Sequence, residues 1–279
     1  MRIFTSKTEL SFFLSELKNQ NKTIGFVPTM GALHQGHLSL IEIAQAQVDI
    51  VVCSIFVNPT QFNDPKDLEK YPRPIETDIK KLEETRCDVL FIPSVEEMYS
   101  AGESWDLDLG YLEKVLEGKF RPGHYKGVTQ IVKKLFDVVK PDVSFFGQKD
   151  FQQVKVIEAM VQTFQLPVTV VTCPILREPD GLAMSSRNVH LSVVERAQAL
   201  ALSKTLHQTV AAFPESSIAD LKQQAENFLN NSDGVKLEYF EICNAETLRP
   251  AESKEEKSLI ALLAATVGNT RLIDNIILK

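Results

Sequence analysis

"TIGFVPTMGALHQGHLSLI", residues 23–41, joins a strand pattern to a helix pattern. The apolar run TIGFV leads into a segment with two histidines and two glycines, and LSLIEIAQAQ (38–47) then has apolar residues at helical spacing. Four further runs have the same strand character: VDIVVCSIFV (48–57), CDVLFIPS (87–94), PDVSFFG (141–147) and PVTVVTCP (167–174). Strands that are apolar on both faces are typical of parallel sheets, and helical patterns separate them. The sequence therefore predicts an α/β fold with a Rossmann-like, doubly wound parallel sheet.

The pattern changes after Pro174. A loop rich in charge and turn formers is followed by two helical stretches, 192–212 and 217–230, and then by strand-like runs near the C-terminus. These features predict a smaller α+β domain. We place the Rossmann-like domain at residues 1–176 and the C-terminal domain at residues 177–279.

Composition limits the classes of function. The chain has 279 residues and a formal net charge of −7, which argues against a nucleic-acid or membrane-surface partner because both require a cationic face. The N-terminal residues form an amphipathic helix pattern instead of a signal peptide, and no apolar run approaches the about 20 residues of a membrane span. The four cysteines are widely separated, which favours free buried thiols in a reducing compartment and a cytoplasmic location.

The segment PTMGALHQGH (28–37) falls where ligands bind in an open parallel sheet, at the carboxyl end of a strand. Glycine permits close approach of a phosphate, and the N–H groups at the start of the helix predicted over 37–47 favour an anion. His34 and His37 can donate ring N–H groups to phosphate oxygens. The alternative is that these histidines and glycines only form a turn.

Two other segments carry polar groups suited to a small acid. Asn58 and Gln61 present amides that match hydroxyl and carboxylate groups, although Asn58-Pro59 is also a common turn starter. Residues 116–127 combine Glu117 and His124 with three cations, and such a run is often only a solvated surface.

Cations suited to phosphate follow two further patterns. Lys149 is predicted in the first turn of a helix, where a cation opposes the helix dipole and so suggests an anionic partner. Ser185, Ser186 and Arg187 offer two hydroxyls and a guanidinium for a triphosphate, although a serine pair can also cap a helix.

Together these segments resemble the pantothenate synthetase (pantoate–β-alanine ligase) family of the HIGH-signature nucleotidyltransferase superfamily. The resemblance covers nearly the whole chain. It rests on GFVPTMGALHQGHLSLI, NPTQF, YPR, RPGHYKGV, FFGQKDFQQ, EPDGLAMSSRN and, near the C-terminus, TRLIDN.

The resemblance implies that residues 1–176 bind the nucleotide and pantoate and that residues 177–279 act as a lid. It also implies ATP and Mg²⁺, the substrates pantoate and β-alanine, and a homodimer. It implies catalytic roles for His34, His37, Lys149 and Arg187. The implied nucleotide ligands are Met30, His34, His37, Gly147, Lys149, Asp150, Met184, Ser185, Ser186 and Arg187. The implied pantoate ligands are Pro28, Met30, Asn58, Gln61, His124 and Gln153. Glu117 and Asp78 match family positions, but their roles and the residues that hold Mg²⁺ stay open.

The expected chemistry is activation of a carboxylate by adenylation, which suits a site with cations and amides and no nucleophilic Ser-His-Asp set. Two alternatives are weighed against it. An adenylyltransferase acting on a phosphate substrate would not need the amides of NPTQF and DFQQ. A nucleotide sensor without activity would be expected to have lost phosphate contacts, whereas both histidines, Lys149 and the Ser-Ser-Arg run are present.

Overall fold

The computed structural model describes residues 1–63 and 65–279, and for Asp67 it describes the backbone alone. The chain divides into two compact units. The first comprises Met1–Gly147 and Gln152–Cys173, and the second comprises Gln148–Phe151 and Pro174–Lys279.

The first unit is built on a parallel sheet. Its described strands are β1 (Arg2–Phe4), β2 (Ile24–Thr29), β3 (Ile50–Ile55), β4 (Val89–Phe91), β5 (Val143–Gly147) and β6 (Thr169–Cys173). They lie in the order β1-β4-β3-β2-β5-β6, and every pair is parallel. The predicted α/β class and parallel sheet are therefore confirmed. The chain places β3 and β4 on one side of β2 and then returns to the other side for β5 and β6, so the strand order reverses between β2 and β5.

Helices cover both faces of this sheet. They are α1 (Lys7–Asn19), α2 (Gln35–Gln45), α3 (Pro65–Lys70), α4 (Ile75–Glu84), α5 (Val95–Met98), α6 (Leu116–Phe120), α7 (His124–Val139) and α8 (Phe151–Thr163). Adjacent residues of one strand feed separate cores: Phe26 packs in a cluster with residues of α1, α7 and α8. Val27 packs in another cluster with residues of α2 and α4. This division explains why the strands are apolar at successive positions.

The N-terminus differs from the prediction. Residues Arg2–Phe4 form the edge strand β1, and the amphipathic helix begins only at Lys7, after the N-cap Ser6. A three-residue strand is too short to produce a recognisable alternation of apolar and polar residues. The predicted apolar stripe is correct, since Leu10 and Leu14 are buried.

The second unit packs two helices on an antiparallel sheet. The helices are α9 (Val193–Ala212) and α10 (Ile218–Asn230), and the strands are β7 (Val235–Asn244), β8 (Leu259–Val267) and β9 (Thr270–Ile277). The described strands pair in the order β7-β8-β9, and the helices bury residues such as Leu202, Leu206 and Leu221 against them. The predicted α+β character of this region is confirmed.

The cysteines behave as predicted. Cys53, Cys87, Cys173 and Cys243 are buried free thiols. Burial raises the pKa of Cys87 and Cys243 to about 12 and that of Cys173 to about 11, so these thiols stay protonated and unreactive. Among the described helices, none has the length and apolar character required to cross a bilayer.

Candidate active site

The histidine loop, Met30–His34, connects β2 to α2. Gly31 has φ +80° and Ala32 has φ +50°, so the backbone turns through two consecutive left-handed residues. A Cβ on Gly31 would lie 2.9 Å from Ile55 Cγ2 and 3.1 Å from Asp78 Oδ2, which leaves room only for glycine. The helix begins at Gln35, two residues earlier than predicted, because the turn is complete at the N-cap His34.

Asp78 of α4 holds this loop. Its carboxylate is fully buried and accepts hydrogen bonds from the N–H groups of Ala32 and Leu33, both at 2.8 Å. Lys81, one turn further along α4, donates to the carbonyl of Leu33 at 2.5 Å. These two amides therefore bind an internal carboxylate instead of an external anion.

His34 and His37 lie side by side. His34 is the N-cap of α2, and the ring centroids of the two histidines are 4.0 Å apart. The backbone N–H of His34 donates to Nδ1 of His37 at 3.3 Å. An accepting Nδ1 assigns the proton of the neutral His37 ring to Nε2, which is then a hydrogen-bond donor suited to a phosphate oxygen.

The structure brings Met30, Asn58, Gln61 and His124 together. Gln61 lies in the 3-10 turn Pro59–Gln61, and its Nε2 is 2.9 Å from Sδ of Met30. Asn58 Nδ2 donates to Gln61 Oε1 at 3.2 Å, and His124 Nδ1 is 2.8 Å from the carbonyl oxygen of Gln61. Pro28 is half-buried in β2, two residues before Met30. The predicted acid-binding residues of this group thus form one cluster.

Asn58 is saturated by bonds within the protein. It is 1% exposed, and besides Gln61 its amide donates to the carbonyl of Gly127 at 3.0 Å. Its Oδ1 accepts from the hydroxyls of Tyr99 at 2.6 Å and Thr60 at 3.2 Å. Burial raises the pKa of Tyr99, which keeps that hydroxyl protonated and able to donate. Asn58 is therefore placed to orient Gln61.

Gln152 fixes the segment that contains Glu117. Its Oε1 accepts from the N–H of Glu117 at 2.9 Å, and its Nε2 donates to the carbonyls of Leu112 and Val115 at 2.7 and 2.9 Å. Glu117 is buried in α6, and the adjacent Gln153 is half-buried in α8. No local pattern in the sequence indicates this role of Gln152.

Gly147 is the last residue of β5. A Cβ built there would meet nothing within 4 Å, so the backbone borders open space. β5 pairs with β2 through Gly25–Val143 and Phe26–Ser144, and both strands run in the same direction. Gly147 and the histidine loop therefore follow the two strands between which the sheet order reverses, which is where ligands bind in open α/β sheets.

The second unit contains the other candidate phosphate ligands. Lys149 and Asp150 lie in the 3-10 turn Gln148–Asp150, which precedes α8, so Lys149 is outside the first α-helical turn where it was predicted. Its Nζ is 3.8 Å from the Asp150 carboxylate. The chain leaves β5 at Gly147 and reaches α8 at Phe151, and the three residues between them form this single 3-10 turn.

Ser185 and Ser186 begin another 3-10 turn, Ser186–His190, in the same unit. Oγ of Ser185 accepts from the N–H of Arg187 at 3.3 Å. Ser185 therefore caps this 3-10 turn, which agrees with the alternative that the serine pair has a capping role. The longer helix α9 has a separate N-cap, Ser192 with Glu195. Met184, Ser186 and Arg187 are half-buried.

Comparison with known proteins identifies the family. A family model described as pantoate-beta-alanine ligase matches residues 2–277. The chain belongs to the pantoate–β-alanine ligase family. Members of this family are enzymes that form an amide bond between pantoate and β-alanine, so the predicted family and ligase activity are confirmed.

The relatives are similar over their full length. Pantothenate synthetase of Thermotoga neapolitana is 50% identical over 280 residues and covers 100% of both chains. That of Porphyromonas gingivalis (strain W83) is 47% identical over 277 residues, with 99% of each chain covered.

Two solved structures show the same fold. Pantothenate synthetase of Thermus thermophilus has a TM-score of 0.93 at 39% identity, with 99% of both chains covered. Pantoate-beta-alanine ligase of Francisella tularensis, complexed with beta-gamma ATP and beta-alanine, has a TM-score of 0.82 at 36% identity and covers 99% of this chain and 97% of that chain.

Proposed function

We propose that this ligase condenses pantoate with β-alanine in two steps that consume ATP, and that a pantoyl-adenylate connects them. The observation that carries the proposal is the placement of the histidine loop and Gly147 at the carboxyl ends of β2 and β5, where the sheet order reverses. ATP is the substrate of that family reaction and supplies the energy of the amide bond.

Pantoate is held by amide side chains of the first unit. Gln61 and Gln153 bind its hydroxyl and carboxylate groups, and Met30 and Pro28 supply apolar contact. Asn58 and His124 act on Gln61, because both are hydrogen-bonded to it. The buried amide of Gln61, whose orientation is fixed, selects a hydroxy acid, since a substrate without the hydroxyl groups would leave it unpaired.

The phosphates of ATP are bound by His34, His37, Lys149, Ser185, Ser186 and Arg187, and Gly147, Asp150 and Met184 lie beside the nucleotide. In the first step a pantoate carboxylate oxygen attacks the α-phosphorus, and the bond to the β-phosphate oxygen breaks. The Nε2–H of His37 and the cations stabilise the negative charge that develops on the phosphate oxygens. Positioning and charge stabilisation supply most of the catalysis in such transfers.

In the second step the amine of β-alanine attacks the acyl carbon of the adenylate. The carbon–nitrogen bond forms, the carbon–oxygen bond to the phosphate breaks, and AMP leaves with that oxygen. The amine loses one proton to solvent. No covalent bond to the protein is required, so Ser185 and Ser186 serve as phosphate contacts only.

The residues present fit Mg²⁺ as a metal carried by ATP. Magnesium is usually held by one or two carboxylates together with substrate phosphates and water. Asp150 would hold it, because it is the carboxylate among the proposed nucleotide ligands and its side chain is 52% exposed. The described part of the chain contains no group of three metal-ligating side chains, so most ligands would come from ATP and water. When bound, Mg²⁺ neutralises charge on the departing pyrophosphate.

A homodimer, a cytoplasmic location and a lid role of the C-terminal domain complete the proposal. The free thiols of the four buried cysteines support a reducing compartment. The resemblance supports the dimer and the lid.

A turnover assay with pantoate, β-alanine and ATP tests the proposed function. We expect AMP, pyrophosphate and pantothenate in equal amounts. His37→Ala should lower turnover at least about 100-fold, the effect of removing one transition-state donor, without unfolding the protein. Transfer of AMP to a phosphorylated acceptor would favour an adenylyltransferase, and ATP binding without turnover would favour a sensor. Either result would contradict the proposal.

A further inference from the structure

Asp274 and Asn275 form a buried polar pair in β9. They are 3% and 2% exposed, and they end the motif TRLIDN. Burying polar side chains in a sheet is unfavourable unless they are hydrogen-bonded. Successive side chains of a strand point to opposite faces, so this pair can hold two different segments.

Asn275 holds the turn that contains Lys149. Its Nδ2 donates to the carbonyls of Gln148 at 2.9 Å and Lys149 at 3.0 Å, and its Oδ1 accepts from Nε2 of Gln148 at 3.0 Å. These two carbonyls belong to the peptide groups on either side of the Lys149 Cα. Fixing both peptide groups fixes the direction in which the Lys149 side chain leaves the backbone.

Asp274 holds the hairpin that leads to the serine segment, Ser185–Arg187. Its carboxylate accepts two hydrogen bonds from Arg177, at 2.7 and 3.0 Å, and one from the N–H of Asn275 at 2.8 Å. Arg177 also donates to the carbonyl of Gly181 at 3.2 Å and pairs through its backbone with Ala183. The next residue, Met184, leads directly into the serine segment.

One rigid strand thus fixes both sets of cationic ligands in the second unit. β9 pairs with β8 without interruption from Thr270 to Ile277. Because Asp274 and Asn275 are neighbours in this strand, two adjacent residues hold the Lys149 turn and the hairpin that precedes Arg187.

We propose that Asp274 and Asn275 are positioning residues that set Lys149 and the serine segment for adenylate formation, an inference that rests on the proposed function. They act through Lys149 and Arg187 and do not touch the substrates.

Double-mutant cycles test this inference. We expect Asn275→Ala to lower pantoate-dependent ATP–pyrophosphate exchange by about 30- to 100-fold, the scale of a 1 Å misplacement, and to leave the KM for β-alanine within about twofold. In a Lys149→Ala background the same substitution should lower the exchange rate by less than about threefold. If Asn275 acts through Lys149, removing Lys149 already removes the effect of Asn275. A second cycle combines Asp274→Asn, which keeps the size of the side chain, with Arg187→Ala.

Glu241→Gln is the matched control. It neutralises the carboxylate of another two-bond ion pair of this sheet, with Lys222, at 3.0 and 2.8 Å. We expect exchange within about twofold of the wild type. Circular dichroism and thermal unfolding report the folded fraction of every variant.

The outcomes separate the two proposals. If the losses in exchange rate of the two single variants multiply in the double variant of both cycles, the positioning role is overturned and the proposed function stays intact. Wild-type exchange in Lys149→Ala alone would contradict the proposed function, and this inference with it. Loss of the folded state in both Asn275→Ala and Asp274→Asn would also overturn it, because the pair would then serve the fold.

Discussion

At the scale of the residue, two glycines of neighbouring strands differ in what surrounds them. A Cβ on Gly25 of β2 would lie 2.7 Å from Val48 Cγ2 and 3.1 Å from Phe145 Cε2, whereas one on Gly147 of β5 would meet nothing within 4 Å. Neither has the positive φ that only glycine tolerates well. Gly25 is thus required by packing, and Gly147 is open to a ligand that approaches the backbone.

Gly147→Ala should therefore separate binding from folding. We expect an unfolding free energy equal to the wild type or higher by up to about 1 kcal/mol, because alanine restricts the unfolded chain without meeting a neighbour. The KM for ATP should rise at least about tenfold, since the methyl group occupies space assigned to the nucleotide. Steady-state kinetics and thermal unfolding measure both quantities.

Gly25→Ala is the reciprocal control for this prediction. It should lower stability by about 1–3 kcal/mol through overpacking and leave the KM for ATP unchanged in the folded fraction. An unaltered KM for ATP in Gly147→Ala would remove Gly147 from the nucleotide site.

At the scale of the element, α4 decides the shape of the histidine loop. Asp78 and Lys81 are one turn apart on this helix, and together they bind two N–H groups and one carbonyl of the loop. Left-handed backbone at a residue other than glycine is unfavourable, and Ala32 retains it because the bond from its N–H to Asp78 compensates. Asp78 is thus a positioning residue for His34 and His37.

Asp78→Asn should disturb this loop while keeping the size of the side chain. One face of the new amide is a donor, so one of the two loop N–H groups loses its acceptor, at a cost of about 1–3 kcal/mol of stability. We expect kcat to fall about 100-fold, because small displacements of catalytic groups are costly. Stopped-time assays of turnover and thermal unfolding give both values.

Asp142→Asn is the control at the opposite end of β2. The Asp142 carboxylate accepts from the N–H of Ile24 at 2.7 Å, so it also binds strand backbone, away from the loop. It should lower stability and leave kcat of the folded enzyme within about twofold. Wild-type kcat in Asp78→Asn would show that the loop keeps its shape without this carboxylate.

The elements also show what the sequence could predict. The long strands and helices are predictable from the sequence. A strand buried on both faces gives a continuous apolar run, and a helix buried on one face gives apolar residues at helical spacing. The edge strand β1 and the short helices α3 and α5 were missed, since three to six residues carry too little periodicity. The predicted strands extend up to three residues beyond the observed ends, as at 48–57, because Phe56 and Val57 stay apolar after β3 ends at Ile55.

At the scale of the whole molecule, the side-chain contacts that the sequence does not reveal span long separations. Gln152 reaches 35 residues back to Glu117, Asp78 reaches 45 and 46 residues back to the histidine loop, and Asn275 reaches 126 and 127 residues back to the Lys149 turn. Local patterns cannot encode such contacts. The proposed ligands are predictable from the sequence because open α/β sheets bind their ligands at strand ends and because the motifs match the family.

The proposed reaction transfers one carboxylate oxygen of pantoate to AMP. If a pantoate carboxylate oxygen attacks the α-phosphorus, that oxygen bridges the acyl-adenylate and leaves with AMP when β-alanine attacks the acyl carbon. Pantoate labelled with ¹⁸O in its carboxylate should therefore deliver one labelled oxygen to AMP and none to pyrophosphate, as mass spectrometry of the products would show.

The same route requires the first step to run without the amine. Pantoate alone should support ATP–pyrophosphate exchange, because β-alanine enters only after the adenylate has formed. Attack at another phosphorus would place the label in pyrophosphate or orthophosphate. Unlabelled AMP formed together with the amide would contradict the adenylate, whatever the roles of the individual ligands.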